Sequence, residues 1–149
     1  MARKIPEVAQ TRIRQRANFL CEYCHTDERW QYVRFTIDHL TAVSEGGEDD
    51  PDNLALACFH CNRRKSNKQS AIDRESGQMV QIFHPRHHLW AEHFIWSANG
   101  LLIIPLTAIG RATTELLDLN RERILRIRAA DVSVNRHPPQ GDPIQNHSS

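Results

Sequence analysis

Cys21-Glu22-Tyr23-Cys24 opens a stretch that runs through Ile37-Asp38-His39-Leu40 and Asn53 to Cys58-Phe59-His60-Cys61-Asn62. Every cysteine of the chain falls in one of these two C-x-x-C pairs, with 33 residues between them. A C-x-x-C turn lets two thiolates grip one side of a tetrahedral ion, and two such turns complete a four-sulfur zinc site with no position left open for a substrate. Cys21, Cys24, Cys58 and Cys61 are therefore read as structural zinc ligands. The long gap makes the intervening segment an insert tied at both ends, and such a tie contributes folding energy directly. Buried, unliganded thiols are the bland alternative. Two complete pairs with no cysteine left over argue against it, and the lack of a βαβ pattern beside either pair argues against a redox role.

Working outward, the chain has 149 residues, enough for one domain with a trailing subdomain, and its 40% hydrophobic content is ordinary for a soluble globular protein. The start, Met1-Ala2-Arg3-Lys4-Ile5-Pro6, lacks the apolar core of a secretory signal, and the longest apolar run, Leu101 to Leu106, is too short to span a membrane. A cytoplasmic, reducing location follows as the expectation, where paired cysteines serve as metal ligands. The net charge of +1 argues against a bulk polyanion binder. Its distribution is uneven. Residues 38–57 hold six acids and no Lys or Arg, and Arg63, Arg64, Lys65 and Lys68 follow. That segregation suits a protein that holds a cation on one side and touches phosphate with the other, although a solvated acidic loop beside a solvated basic helix accounts for charge alone equally well.

The expected elements are a first helix after Pro6 with a stripe of Val8, Ile13, Ala17 and Leu20, ringed by Arg12, Arg14 and Arg16. Those arginines read as a solvated face, with contact to nucleic acid backbone as the alternative. A strand over Tyr32–Ile37 ends at Asp38-His39. The Gly- and Asp-rich run from Ser44 to Asp52 reads as a surface loop, Asn53–Ala57 as a short strand or turn, and residues 62–74 as helix. Further on, Leu89–Ser97 reads as a strand with Trp90, Phe94 and Trp96 on one side, Asn99-Gly100 as a hairpin turn, and Leu101–Leu106 as the returning strand. Thr113 or Thr114 would cap a final helix with a seam of Leu116, Leu117, Ile124 and Ile127. The resulting divisions are residues 1–76, a hairpin-helix extension over 77–131, and a disordered tail over 132–149.

Asp38-His39, Ser44-Glu45-Gly46-Gly47, Asn53-Leu54-Ala55-Leu56 and Cys58-Phe59-His60-Cys61-Asn62 together resemble the HNH nuclease motif in its zinc-containing form, over residues 17–70. The resemblance implies an α+β fold built on a ββα-metal finger stapled by the four-cysteine zinc site, with a C-terminal β-hairpin plus helix module. It implies a metal-dependent DNA endonuclease, with RNA left open as substrate, that hydrolyses a phosphodiester. His39 is the base that activates water, since an imidazole with a pKa of about 6.5 accepts a proton at neutral pH. Asp38 and Asn62 are expected to supply oxygen to a catalytic Mg²⁺ or Mn²⁺. Asn53 is expected to pin the loop that aims His39, and Arg63, Arg64, Lys65 and Lys68 to grip flanking phosphates.

Two positions depart from the family pattern. Asn62 stands where a histidine is frequent, which favours Mg²⁺ or Mn²⁺ over softer ions, and Ala42 stands where a proline is common. A catalytically idle zinc module that binds nucleic acid or protein is the competing reading. His84, His87, His88 and His93 are numerous enough for another metal site, but such residues are more often surface or core-edge groups, and none is assigned. A single active site cuts one strand, so a double-strand break would need a homodimer or two visits.

Overall fold

The computed structural model describes residues 5–146, so the first four residues and the last three of the expected tail lie outside the described residues. The chain divides into two compact units. One holds the chain to Gln69 together with His84–His87, and the other holds Ser70–Phe83 and the chain from His88 on. The break expected after residue 76 therefore falls earlier, and a four-residue segment returns to the first unit. No helix among the described residues is long and apolar enough to cross a membrane.

The first unit begins with helix α1, Glu7–Arg16, entered through Pro6 and ended where Asn18 and Phe19 take left-handed backbone angles. Its buried face keeps part of the expected stripe, with Ile13 and, just past the helix, Leu20 buried and Ala17 half-buried. Val8 is exposed, while Ile13 and Arg14 are buried. Arg14 donates to Glu28 at 2.9 Å and to the Phe35 carbonyl at 2.8 Å. Arg16 donates to the carbonyls of Pro51 and Leu54. Two of the three helix arginines thus hold the fold together, because their guanidinium forks satisfy backbone carbonyls that burial would otherwise strand.

Strands β1, Thr36–His39, and β2, Leu54–Ala57, pair antiparallel with Asp38 opposite Ala55 and His39 opposite Leu54. The first strand is shorter than expected and starts at Thr36. The second is buried along its whole length. Helix α2, Phe59–Lys65, follows at once and stops where Ser66 turns left-handed, well short of the expected residue 74. The order β1, β2, α2, with the four cysteines gathered at its base, is a ββα-metal finger within a mixed α+β chain.

In the second unit, residues expected to prolong that helix form β3, Ser70–Asp73, which pairs with β4, Gln78–Gln81, around Gly77. Asp73 has no exposed surface, accepts two hydrogen bonds from Arg111, and is held below the usual carboxylate range chiefly by that arginine and then by Ser76. A helical turn α3, Trp90–His93, replaces the first half of the expected strand, leaving β5, Phe94–Trp96, to pair with β6, Ile103–Pro105. Trp90, Phe94 and Trp96 are nevertheless all buried. The final helix is two. Helix α4, Ala108–Leu116, is capped by Thr107, whose hydroxyl accepts from the Gly110 N–H at 3.0 Å, and Asp118 at φ 49° breaks the chain before α5, Glu122–Ser133. Thr113 caps nothing. Its buried hydroxyl donates to the Ile109 carbonyl and accepts from the Phe83 N–H.

The described part of the expected disordered tail is ordered. Asp142 accepts from the Trp96 indole N–H at 2.9 Å, Pro143 accepts from the Trp96 backbone, and Gln145 donates back to it. The fully buried Trp96 needs a partner for its indole N–H, and the tail provides it.

Candidate functional site

The knuckle Cys21–Cys24 is tied to β2 in both directions. Glu22 donates its backbone N–H to the Leu56 carbonyl at 2.8 Å and accepts the Leu56 N–H on Oε2 at 2.7 Å, while its Oε1 meets the Arg86 guanidinium. The second knuckle is the start of α2 itself, with Cys58 as the capping residue. All four cysteines are buried, and their Sγ atoms lie within 4.8 Å of one another, Cys24 and Cys58 at 3.8 Å. Sulfurs at that separation fit around one tetrahedral ion. Without a cation such a cluster tolerates little charge. Hydrogen bonds from the other three sulfurs pull the Cys24 thiol well down, whereas burial pushes Cys21 well up. A shared zinc is the group that lets all four ionise.

Asp38 and His39, adjacent at the end of β1, point to opposite faces of the strand and meet different partners. Asp38 is buried. Its Oδ2 accepts from the Tyr23 hydroxyl at 2.8 Å and lies 3.3 Å from the Lys65 ammonium. Burial raises its pKa, opposed by Lys65 and then Tyr23. Lys65 also donates to the His39 carbonyl at 3.3 Å, which brings α2 beneath β1. Asn62 is half-buried one turn earlier on α2, and its spacing of three from Lys65 puts it on the same helix face. Asp38 and Asn62 are hard oxygen donors of the kind Mg²⁺ takes, so the donor chemistry fits, with Oδ2 of Asp38 already committed to two hydrogen-bonding partners.

His39 is partly exposed, and its Nε2 lies 2.7 Å from Oδ1 of Asp49. Asn53 closes the loop between the strands. Its Oδ1 accepts from the Thr41 N–H at 2.8 Å, and its amide donates to the carbonyls of Thr41 at 3.1 Å and Glu48 at 2.8 Å. Arg63, Arg64 and Lys68 are exposed. Lys65, expected among them as a phosphate contact, is not available for that role. It is buried against Asp38, because α2 is turned so that residues 61 and 65 face inward while Arg63 and Arg64 face solvent.

Sequence reasoning missed Tyr23 and Asp49. Tyr23 sits inside the first knuckle, and nothing local marks its hydroxyl as the partner of a strand-end aspartate. Asp49 is one acid among several in a loop, distinguished only by the closure that Asn53 imposes. The four histidines between 84 and 93 make no metal cluster. Among the described residues the cysteine tetrad is the group whose ligand atoms converge.

A family model of HNH endonucleases matches residues 21–68. Residues 21–68 are the HNH-like segment of the chain. They amount to about a third of the chain and include both knuckles, Asp38, His39, Asn53 and Asn62. No curated protein and no solved structure matches the chain. The HNH match and the sulfur tetrad together support a nuclease-like or nucleic-acid-binding zinc module over this segment.

Proposed function

We propose that the HNH domain is a metal-dependent endonuclease that hydrolyses phosphodiesters, with DNA as substrate and 3′-hydroxyl and 5′-phosphate ends as products. The observation that carries this reading is the HNH match over residues that include a strand-end imidazole fixed by a neighbouring carboxylate. His39 would take a proton from the attacking water. Asp38 and Asn62 would hold Mg²⁺ or Mn²⁺, which when bound relieves charge on the phosphate and the departing 3′ oxygen. Asn53 keeps the loop beside His39 in one conformation. Arg63, Arg64 and Lys68 offer exposed charge to flanking phosphates.

A second reading, an idle zinc module that binds nucleic acid or protein, draws support from the Asp38–Lys65 pair, since the charge of Asp38 is already balanced. A plasmid nicking assay titrated with Mg²⁺ and Mn²⁺, run with His39→Ala and with an RNA substrate in parallel, separates the two. The expected result is metal-dependent nicking that falls by about 10²–10⁴-fold in His39→Ala at unchanged zinc content. DNA binding without cleavage by the wild type would favour the idle module.

A further inference from the structure

The loop between β1 and β2 is fastened at both ends by one side chain. Asn53 holds Thr41 by its N–H and its carbonyl and holds Glu48 by its carbonyl. Gly47 lies so close to this closure that a β-carbon would stand 1.8 Å from the Thr41 carbonyl oxygen, so only glycine fits there. The residue after Glu48 is Asp49, and the fastened loop delivers its Oδ1 to 2.7 Å from Nε2 of His39. The described residues give the imidazole no other hydrogen bond. An ionised carboxylate only accepts, so the neutral ring must carry its hydrogen on Nε2 and keep the lone pair on Nδ1.

We propose that Asp49 is the positioning residue for His39, fixing the imidazole plane and its Nε2–H tautomer so that Nδ1 is the atom that takes the proton from water. Asn53 then acts on the reaction through Asp49, by anchoring the peptide immediately before it. In that step a water O–H bond breaks and an Nδ1–H bond forms, the hydroxide oxygen bonds to phosphorus as the P–O3′ bond breaks, and the departing 3′ oxygen leaves as the 3′-hydroxyl after taking a proton from solvent. Asp49 exchanges no proton and pairs with the imidazolium that results. The inference rests on the nuclease reading for its chemistry, but its geometric half stands without it.

Asp49→Ala and Asp49→Asn test it in the full, zinc-loaded chain. Long-range ¹⁵N–¹H correlation of the His39 ring, recorded at a pH of about 8, above the ordinary imidazole pKa, reads the tautomer directly. The wild type should be Nε2–H, Asp49→Ala a mixture, and Asp49→Asn, whose amide oxygen still accepts, mostly Nε2–H. In the nicking assay Asp49→Ala should lose kcat on the order of 10–100-fold with KM little changed, and Asp49→Asn should recover much of that loss. A wild-type tautomer in Asp49→Ala would overturn the proposal, as would full kcat in that variant. If Asp49→Ala fails to retain zinc, the comparison of Asp49→Asn with wild type decides alone: a ring that stays Nε2–H with most of kcat kept supports the role, and a displaced tautomer or a collapse of kcat sinks it. A wild type that nicks nothing with any metal refutes the nuclease reading, and the tautomer of Asp49→Ala still judges Asp49.

Discussion

Lys65 and its neighbours carry the same charge in the sequence and do different things in the molecule. Arg63 and Arg64 face water, whereas Lys65 reaches inward to Asp38, with both side chains of that pair almost wholly shielded. Removing one partner of a buried pair leaves the other uncompensated, which costs about 3–5 kcal/mol. Lys65→Met should therefore lower stability in urea unfolding by an amount of that order, and adding Asp38→Asn should recover a large part of it, since the two positions are coupled. Arg63→Ala, Arg64→Ala and Lys68→Ala should leave unfolding unchanged and each reduce the salt slope of DNA binding by roughly one. A fall in DNA affinity in Lys65→Met with no loss of stability would contradict this division. A run of basic residues is legible in a sequence, but which of them faces inward depends on the rotation of a seven-residue helix that the sequence does not fix.

At the level of elements, the ββα finger is held by two knuckles that belong to different pieces of secondary structure, one a turn after α1 and the other the first turn of α2. The pairing of β1 with β2 is only four residues long, and two short strands are marginal in water without further support. Zinc should supply that support. Chelation, or Cys58→Ser, is expected to remove a single zinc and abolish the cooperative unfolding transition of the finger, because apparent structural zinc affinities are on the order of 10–16 kcal/mol. Metal analysis beside circular dichroism checks it, and a Cys58→Ser chain that keeps its finger without zinc would speak against a structural ion. The finger was legible because cysteine spacing and the Asp-His pair are local signals. The C-terminal elements were half legible. Asn99-Gly100 marked the hairpin, and the buried aromatics marked its core, yet the division of one apolar seam into α4 and α5 turns on Asp118 adopting a positive φ, a conformation that its sequence neighbours do not dictate.

For the whole molecule, the unit that contains the HNH-like segment is not continuous in sequence. His84–His87 return to it, and Arg86, whose guanidinium is brought down to about 10 by burial, pairs with Glu22 inside the first knuckle. Arg86→Ala leaves Glu22 holding only the Leu56 N–H and should cost about 1.5–3 kcal/mol of stability and loosen zinc, read by thermal unfolding and by the rate of zinc loss to a chelator. Unchanged zinc retention would show that the pair is peripheral. A boundary after residue 76, where the composition changes, would cut this support away. The sequence by itself determined the zinc tetrad, the HNH resemblance and the order strand, loop, strand, helix, because thiolate pairs at fixed spacing and β-branched runs act over a few residues. Only the tertiary structure decided that Lys65 is buried against Asp38, that Asp49 is brought to His39, that Arg86 reaches back to Glu22 and that residues 142–145 order on Trp96. Each of those contacts joins groups whose spacing along the chain carries no periodicity, and each forms because a buried charge or an unpaired N–H must find its partner wherever the fold puts one.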